Sequence, residues 1–103
     1  SNESEEQNQF AASFELNQNY PNPFNPTTQI TYALPKVALV SINIYDISGR
    51  MVKSLVNTPK DAGYHSLRWD ATNDIGEGVS AGMYIYTIQA DEYRATKKMV
   101  LLK

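Results

Sequence analysis

The sequence predicts an all-β domain, an antiparallel β-sandwich of about seven strands. Short segments in which apolar and polar residues alternate recur about every 8 to 12 residues, with turn-forming residues between them, a spacing typical of sandwiches. No stretch of a dozen residues places its apolar side chains at the period of a helix, so nothing longer than one helical turn is expected. The 103 residues suffice for a single domain.

Residues 1–13 are predicted to be a flexible linker from an upstream protein, ahead of a domain that spans residues 14–103. Polar and acidic residues dominate the linker, and Phe10 is its only large apolar residue. Such a segment buries too little apolar surface to offset the entropy lost on ordering it. Its last residues, Ala11, Ala12 and Ser13, have small side chains that leave the backbone accessible, so any proteolytic processing is expected there.

The first half of the domain is expected to contain three strands. A strand at 14–20 leads into a corner at 20–26, where three prolines fix φ and remove backbone donors, which excludes a central strand. Alternation then predicts strands over 29–34 and 39–45. A turn at 46–49 ends this half, because the glycine there readily supplies a positive φ.

The second half is expected to contain four more strands. These are predicted at 51–56, 63–70, 82–90 and 94–102, and a loop containing Pro59 is expected between the first two. The same alternation places ten residues in the core: Ile30, Tyr32, Leu34, Val40, Ile42, Ile44, Leu67, Trp69, Tyr84 and Ile88.

Neither a cofactor nor a metal ion is expected. The sequence has no Cys, which excludes disulfides, thiolate metal ligands and a Cys nucleophile. The single histidine, His65, has no second ligand at a motif spacing. The oxygen-rich stretch from Asp70 to Glu77 spaces its side chains by three, one and three residues, unlike the alternate positions of an EF-hand loop. Loop solvation is therefore the favoured interpretation of this stretch.

The residue inventory also argues against an enzyme, a nucleic-acid-binding protein and a membrane-spanning chain. There is no nucleophile-elbow or phosphate-loop motif. The net charge is −2, which is unfavourable for contact with a phosphate backbone. No apolar run approaches the roughly 20 residues that span a bilayer.

Four motifs give the sequence a resemblance to a known family. They are Tyr20–Ile30 (YPNPFNPTTQI), Val40–Arg50 (VSINIYDISGR), Gly63–Asp70 (GYHSLRWD) continuing at Gly82–Tyr86 (GMYIY), and Lys97–Lys103 (KKMVLLK). In this order they resemble the type A C-terminal sorting domain of the type IX, or Por, secretion system. The middle portion is also similar to the immunoglobulin-like domain of flagellar hook-capping proteins, which implies an immunoglobulin-like sandwich.

The resemblance implies a non-catalytic role in secretion. Such a domain is covalently linked to an upstream cargo domain in a Gram-negative bacterium. An outer-membrane translocon reads it after the cargo reaches the periplasm, and a sortase-like peptidase cuts the linker. The cargo then becomes secreted or remains at the cell surface.

Two segments are candidate recognition sites. The resemblance places the sorting determinant in the last strand, residues Lys97, Lys98, Met99, Val100, Leu101, Leu102 and Lys103. A free edge of this strand is also a surface that a receptor can read by strand addition. The turn residues Asp46, Gly49 and Arg50 form the second candidate. The structural alternatives are an edge strand protected by charge and an ordinary hairpin turn.

Two other functions stay open. An accessory module that binds carbohydrate or another surface polymer would display aromatic rings on one flat face, for which Tyr20, Tyr45, Tyr64 and Tyr93 are the candidates. An assembly domain like that of the hook-capping proteins is the third possibility. A sorting domain lies at the natural C-terminus of its parent protein, so a sequence ending on the terminal lysine motif favours sorting.

Overall fold

Alternating apolar residues build two antiparallel sheets in the computed structural model, which describes residues 11–102. The strands are β1 (Glu15–Leu16), β2 (Thr28–Leu34), β3 (Ala38–Asp46), β4 (Met51–Lys60), β5 (Gly63–Trp69), β6 (Gly82–Ala90) and β7 (Tyr93–Leu101). One sheet has the order β1-β2-β5 and the other β4-β3-β6-β7. The predicted all-β sandwich of seven strands is confirmed. This part of the chain holds no helix able to cross a membrane.

The core lies between the two sheets and follows the predicted alternation closely. Nine of the ten predicted core residues are buried, and the tenth, Leu67, packs against the core while only partly buried. Leu67 lies on β5, which is the edge strand of the smaller sheet and has a neighbour on one side only. Its side chain therefore receives less cover than those of the central strands.

The prediction omitted several buried residues near the chain ends. Phe24, Met99 and Leu101 are each no more than 1% exposed. Phe24 lies between prolines, outside any alternating segment, so periodicity gave no reason to bury it. Ala33 is also fully buried, although alternation directs it to the outer face; its cross-strand neighbours Glu15 and Tyr64 are larger and shield its methyl group.

Two predicted boundaries were wrong. The first strand pairs with β2 over only two residues instead of the whole of 14–20. The expected loop at 57–62 is instead largely strand, because β4 continues through Pro59 to Lys60. This extension is allowed because β4 pairs only with β3, so a proline that lacks an N–H does not interrupt a second ladder.

The segment between β1 and β2 crosses from one sheet to the other. After pairing with β2, the chain reaches β7, where Phe24 forms a parallel bridge with Leu101. The Phe24 N–H donates to the Val100 carbonyl at 3.0 Å, and the Leu102 N–H donates to the Phe24 carbonyl at 2.8 Å. This segment therefore closes the open side of the sandwich next to the last strand.

Truncation of a core residue on β3 is expected to destabilise the domain far more than truncation of its neighbour. Ile42 is fully buried, so Ile42→Ala should lower the free energy of unfolding by about 2–5 kcal/mol. Leu39 on the same strand is 59% exposed, and Leu39→Ala should change it by only about 0.5 kcal/mol. Equilibrium urea unfolding of both variants measures the difference, and equal losses would contradict the assigned strand faces.

Candidate recognition site

All four sequence motifs meet at one end of the sandwich, which we call the motif end. There β3 ends at Asp46, opposite Tyr84 of β6, and Gly82 of β6 lies opposite Leu101 of β7. Trp69, the last residue of β5, lies beside Tyr84 and beside Phe24 of the proline-rich corner. Motifs separated by up to about 80 positions in the sequence thus form one structural unit.

Three aromatic rings hold the motif end together. The Trp69 ring centroid lies 5.8 Å from that of Phe24 and 5.5 Å from that of Tyr84, the latter in an edge-to-face arrangement. The Trp69 indole N–H donates to the Thr72 carbonyl at 2.8 Å, and the Tyr84 hydroxyl donates to the Ser80 carbonyl at 2.6 Å. Each buried polar tip therefore has a partner, as packed Trp and Tyr side chains require.

A buried polar network fixes the proline-rich corner against both sheets. The Tyr86 hydroxyl donates to the Asn17 carbonyl at 2.7 Å and accepts from the Asn19 N–H at 2.8 Å. The Asn19 amide in turn donates to the Thr28 hydroxyl at 2.9 Å and to the Pro21 carbonyl at 3.1 Å. Burial raises the pKa of Tyr86 to about 12.

The same segment covers the outer edge of β7 near its end. Alternate residues of an edge strand direct their backbone groups away from the sheet. The Gln18 side chain donates to the Lys98 carbonyl at 2.7 Å, and the Asn22 side chain accepts from the Val100 N–H at 3.0 Å. A receptor strand pairing with the second half of β7 must therefore first displace this segment.

The candidate residues of the last strand do not share one surface. Met99 and Leu101 belong to the core, whereas Lys98 and Leu102 are exposed. Lys97 is half-buried and lies opposite the inward-facing Tyr86, so it occupies the other face of β7 from Lys98. Val100 is half-buried on the outer face. Lys103 lies outside the described residues.

The second candidate, the turn from Asp46 to Arg50, is held by its own carboxylate. Asp46 Oδ1 accepts from the Ser48 hydroxyl at 2.6 Å, the Ser48 N–H at 2.9 Å and the Arg50 N–H at 3.0 Å. Gly49 has a φ of +91°, which favours glycine. Arg50 Nε lies 3.8 Å from Asp46 Oδ2, and its side chain is 85% exposed. The guanidinium is therefore available to a partner.

The Ser48 hydroxyl is the main cause of a lowered pKa of the Asp46 carboxyl, and the Arg50 N–H adds to the effect. The ionised form is thus favoured in the folded chain. Its contribution to stability is present above the pKa of the unfolded chain and is lost as the pH falls through the lowered value.

The structure joins the two candidate segments through an exposed apolar patch, the Met83 patch. It comprises Tyr45, Met51, Met83, Ile85 and Val100 on the outer face of the four-stranded sheet. Cross-strand pairing places Tyr45 beside Met51 and Ile85, Ile85 beside Lys98, and Met83 beside Val100. Met51 and Met83 are 52% and 44% exposed.

Sequence reasoning missed this patch, although one signal pointed to it. Met83 and Ile85 occupy the positions of β6 that alternate with its inward tyrosines, so two apolar side chains face outward. Arg50 and Lys98 lie at its margin, one beside Met51 in sequence and one beside Ile85 across strands.

The oxygen-rich loop after β5 is used for local hydrogen bonding. Asp74 Oδ1 accepts from the Ser54 N–H at 3.1 Å, and Asn73 Oδ1 accepts from the N–H groups of Ile75 and Glu77. His65 stacks on Tyr32 at 5.0 Å. Within residues 11–102, no three His, Asp or Glu side chains lie close enough to hold a metal ion.

The candidate tyrosines do not form a common platform. Tyr20 and Tyr64 are 81% and 59% exposed on the outer face of the smaller sheet, but Tyr20 pairs with Gln29 and Tyr64 with Ala33, four positions apart on β2. Tyr45 lies on the other sheet, and Tyr93 stacks on Phe14 at 5.3 Å.

Two of the three predicted processing residues have exposed side chains. Ala12 and Ser13 are exposed, but Ala11 is buried. Accessible backbone is thus limited to the last two of the three residues. Residues 1–10 of the predicted 1–13 linker lie outside the described residues.

Together, the two sheets and their connections define an immunoglobulin-like β-sandwich domain. The sequence model of the FlgD Ig-like domain family matches residues 17–94. The chain therefore belongs to that family. The match ends before residue 97, so it includes the first three motifs but not the terminal one. No curated protein sequence matches the chain.

Solved structures with the same fold include proteins of two bacterial machines. Dimeric latent PorU from Porphyromonas gingivalis has a TM-score of 0.67 and 21% identity, with 89% of this chain and 10% of PorU covered. PorZ, an essential surface component of the type IX secretion system of the same organism, has a TM-score of 0.57 and 20% identity. That comparison covers 87% of this chain and 11% of PorZ.

FlgD from Xanthomonas campestris has a TM-score of 0.59 and 22% identity, with 96% of this chain and 74% of FlgD covered. Identities in this range establish a shared fold. The chain spans only about a tenth of PorU and of PorZ.

Loss of the buried hydroxyl in Tyr86→Phe is expected to destabilise the domain by about 1–3 kcal/mol, because the Asn19 N–H and Asn17 carbonyl lose their partner. The effect depends on pH. The pKa of Tyr86 is raised from 10.0 to about 12, so the hydroxyl's contribution is complete below pH 10 and is lost as the pH rises through 12.

Chemical denaturation of wild type and Tyr86→Phe between neutral pH and about 12 measures both effects. The difference in stability between the two proteins should narrow in the alkaline range. Tyr20→Phe is the matched control, since Tyr20 is 81% exposed. A pH-independent difference would contradict the assigned role of the Tyr86 hydroxyl.

Proposed function

We propose that this chain is a C-terminal sorting domain that directs an attached upstream protein through the type IX secretion system to the cell surface or the exterior. The observation that carries the proposal is the convergence of the four sorting-type motifs at one end of the sandwich. The second, third and fourth motifs contribute side chains to or beside one exposed surface, the Met83 patch, whereas Phe24 of the first motif and Trp69 pack in the core. The domain has no catalytic role in this proposal.

The Met83 patch is the surface that a translocon component would contact. Contiguous exposed apolar side chains with a polar rim mark interaction sites on proteins. Arg50 and Lys98 add positive charge at the margin, which favours a partner with acidic groups around an apolar centre. The core side chains Met99 and Leu101 support this surface from below without being read themselves.

The covered edge of β7 favours recognition of the folded domain. The outward-facing backbone groups of Lys98 and Val100 are already hydrogen-bonded to Gln18, Asn22 and Phe24. A partner that reads side chains on the sheet face needs no rearrangement, whereas strand addition to this stretch costs those hydrogen bonds. Reading the sheet face is therefore the simpler mode.

Processing by a sortase-like peptidase is proposed just before the domain. Ala12 and Ser13 are exposed, whereas Phe14 is fixed by its stack on Tyr93. A cut after Ala12 or Ser13 would release the cargo and leave all seven strands of the sandwich intact. Mass spectrometry of the secreted cargo measures its new C-terminus.

A second candidate function is an assembly domain of the hook-capping type, which the family match over residues 17–94 favours. The two functions differ in their need for the terminal motif. Sorting requires the surface around Lys98, whereas an assembly role built on the matched region does not.

Export of a fused reporter from a host with the secretion system tests the proposal. Two multiple variants should reduce export to the level of a reporter that lacks the domain. One changes Lys97, Lys98 and Lys103 together to Gln, and the other combines Lys98→Gln with Met83→Thr. The melting temperature of the Lys98→Gln, Met83→Thr variant should move little, because Lys98 is exposed, Met83 is 44% exposed and exposed charges contribute little to stability. Lys97→Gln alone should be the mildest change, since Lys97 lies on the other face of β7.

Lys36→Gln is the matched control. Lys36 is exposed at the opposite end of the sandwich, where it pairs with Asp91 at 3.7 Å. Its replacement should leave export unchanged. Normal export of both folded multiple variants would contradict recognition through the Met83 patch and its lysine margin.

A further inference from the structure

The outer face of the four-stranded sheet carries a second feature, which adjoins the Met83 patch at Tyr45. A depression of about 320 Å³ lies over the middle of β3, β6 and β7, and an adjoining depression of about 330 Å³ continues toward the Asp91 turn. Ser41 and Gln89 line both, so the two form one continuous channel, which we call the polar trough. Its floor consists of two cross-strand rows of side chains, Ser41–Gln89–Arg94 and Asn43–Thr87–Thr96.

The first depression presents neutral hydrogen-bonding groups and one positive charge, Arg94, whereas the Asp91 carboxylate lines the adjoining depression. Five of the six floor side chains are neutral hydroxyls or amides. Thr87, Gln89 and Thr96 make no side-chain hydrogen bond within residues 11–102, and Asn43 donates to the Ser41 hydroxyl at 3.2 Å. Arg94 is exposed, and no carboxylate of this part of the chain lies within salt-bridge distance of it. The nearby Asp91 already pairs with Lys36 at 3.7 Å.

The spacing of these groups matches a ligand that carries many hydroxyls along an extended chain. Directly opposed side chains on neighbouring strands are about 5 Å apart, and successive outward residues on one strand are about 7 Å apart. The floor of the first depression is therefore a grid of donors and acceptors, and the adjoining depression adds one exposed apolar side chain, Leu39. Tyr45 lines the end of the trough and supplies one aromatic ring. A tyrosine ring of this kind packs against the apolar face of a sugar ring while its hydroxyl stays in water.

The charge of the site narrows the ligand class. A lone guanidinium among neutral groups favours a carboxylate or another single acidic group, which Arg binds through paired N–H donors. A nucleic acid requires many phosphate contacts, which one arginine in a chain of net charge −2 does not provide. We propose that the polar trough binds an acidic glycan chain, with Arg94 at an acidic group and Gln89, Asn43 and Thr96 at hydroxyls.

Titration of the ¹⁵N-labelled domain with a galacturonate hexamer, and separately with neutral cellohexaose, tests the proposal. The acidic sugar should shift the backbone resonances of Ser41, Gln89 and Thr96 at millimolar concentration and bind more tightly than the neutral one. Arg94→Gln should weaken binding of the galacturonate hexamer by about tenfold, the loss expected for one charge-assisted hydrogen-bonded contact. Gln89→Ala should weaken both sugars.

Arg68→Gln is the matched control, because it removes the same charge from the outer face of the other sheet, where Arg68 pairs with Gln29. It should leave the affinity unchanged. Equal weakening by Arg68→Gln, or absence of resonance shifts in the trough with either sugar, would overturn the proposal. Export of the reporter is unaffected by Arg94→Gln, so failure of this inference is distinguishable from failure of the sorting function.

Discussion

The Tyr86 hydroxyl makes the contact on which the remaining architecture depends. It lies in the core on a central strand of the larger sheet, yet both of its hydrogen bonds go to the backbone of the segment that leads out of the smaller sheet. Those bonds fix the path of the chain after β1, and this path takes the proline-rich corner toward β7. Phe24 then enters the core beside Trp69, and Asn22 reaches Val100. The closed side of the sandwich and the support of the motif end follow from this one buried polar group.

The buried hydroxyl also explains why a corner with several prolines is structured. Prolines remove backbone donors, so the corner cannot be held by a regular ladder. Its Pro21 carbonyl accepts instead from the side chains of Asn19 and Thr28, which are both almost completely buried, and the Phe24 backbone bonds to β7. Within residues 11–102 no buried side-chain nitrogen or oxygen is left without a partner. A network of this kind specifies one arrangement, because loss of any member leaves another unpaired.

Most of the fold was predictable because residues such as Ile42 and Tyr84 alternate cleanly along strands with two different faces. Two features were not predictable. The strand continues through Pro59 because β4 lies at an edge, a fact about sheet order that no local pattern contains. Phe24 is buried because it pairs with Leu101, about 80 residues away in the sequence, and a local sequence pattern cannot show a contact over that separation.

The candidate site was predictable only in part. The motifs identified the segments around Arg50 and Lys98, but the prediction took the whole last strand as one recognition segment. Pairing with β6 divides it, since Met99 enters the core while Lys98 faces outward. The apolar patch between the two segments depends on the register of β3, β6 and β7, and register is a tertiary property.

The contact between the proline-rich corner and the last strand has a consequence for the order of folding. Asn22 and Val100 are 78 positions apart in the sequence, so the chain loses much loop-closure entropy when they meet, and we expect this contact to form late. Domains generally fold from the N-terminus as a chain is synthesised, so in the proposed arrangement the upstream cargo folds before the sandwich. The sandwich closes only when β7 has been made and has reached the corner. A chain truncated before this strand would therefore lack both the closed domain and the surface around Lys98. The closed sandwich with that surface forms only in chains whose translation has continued through β7.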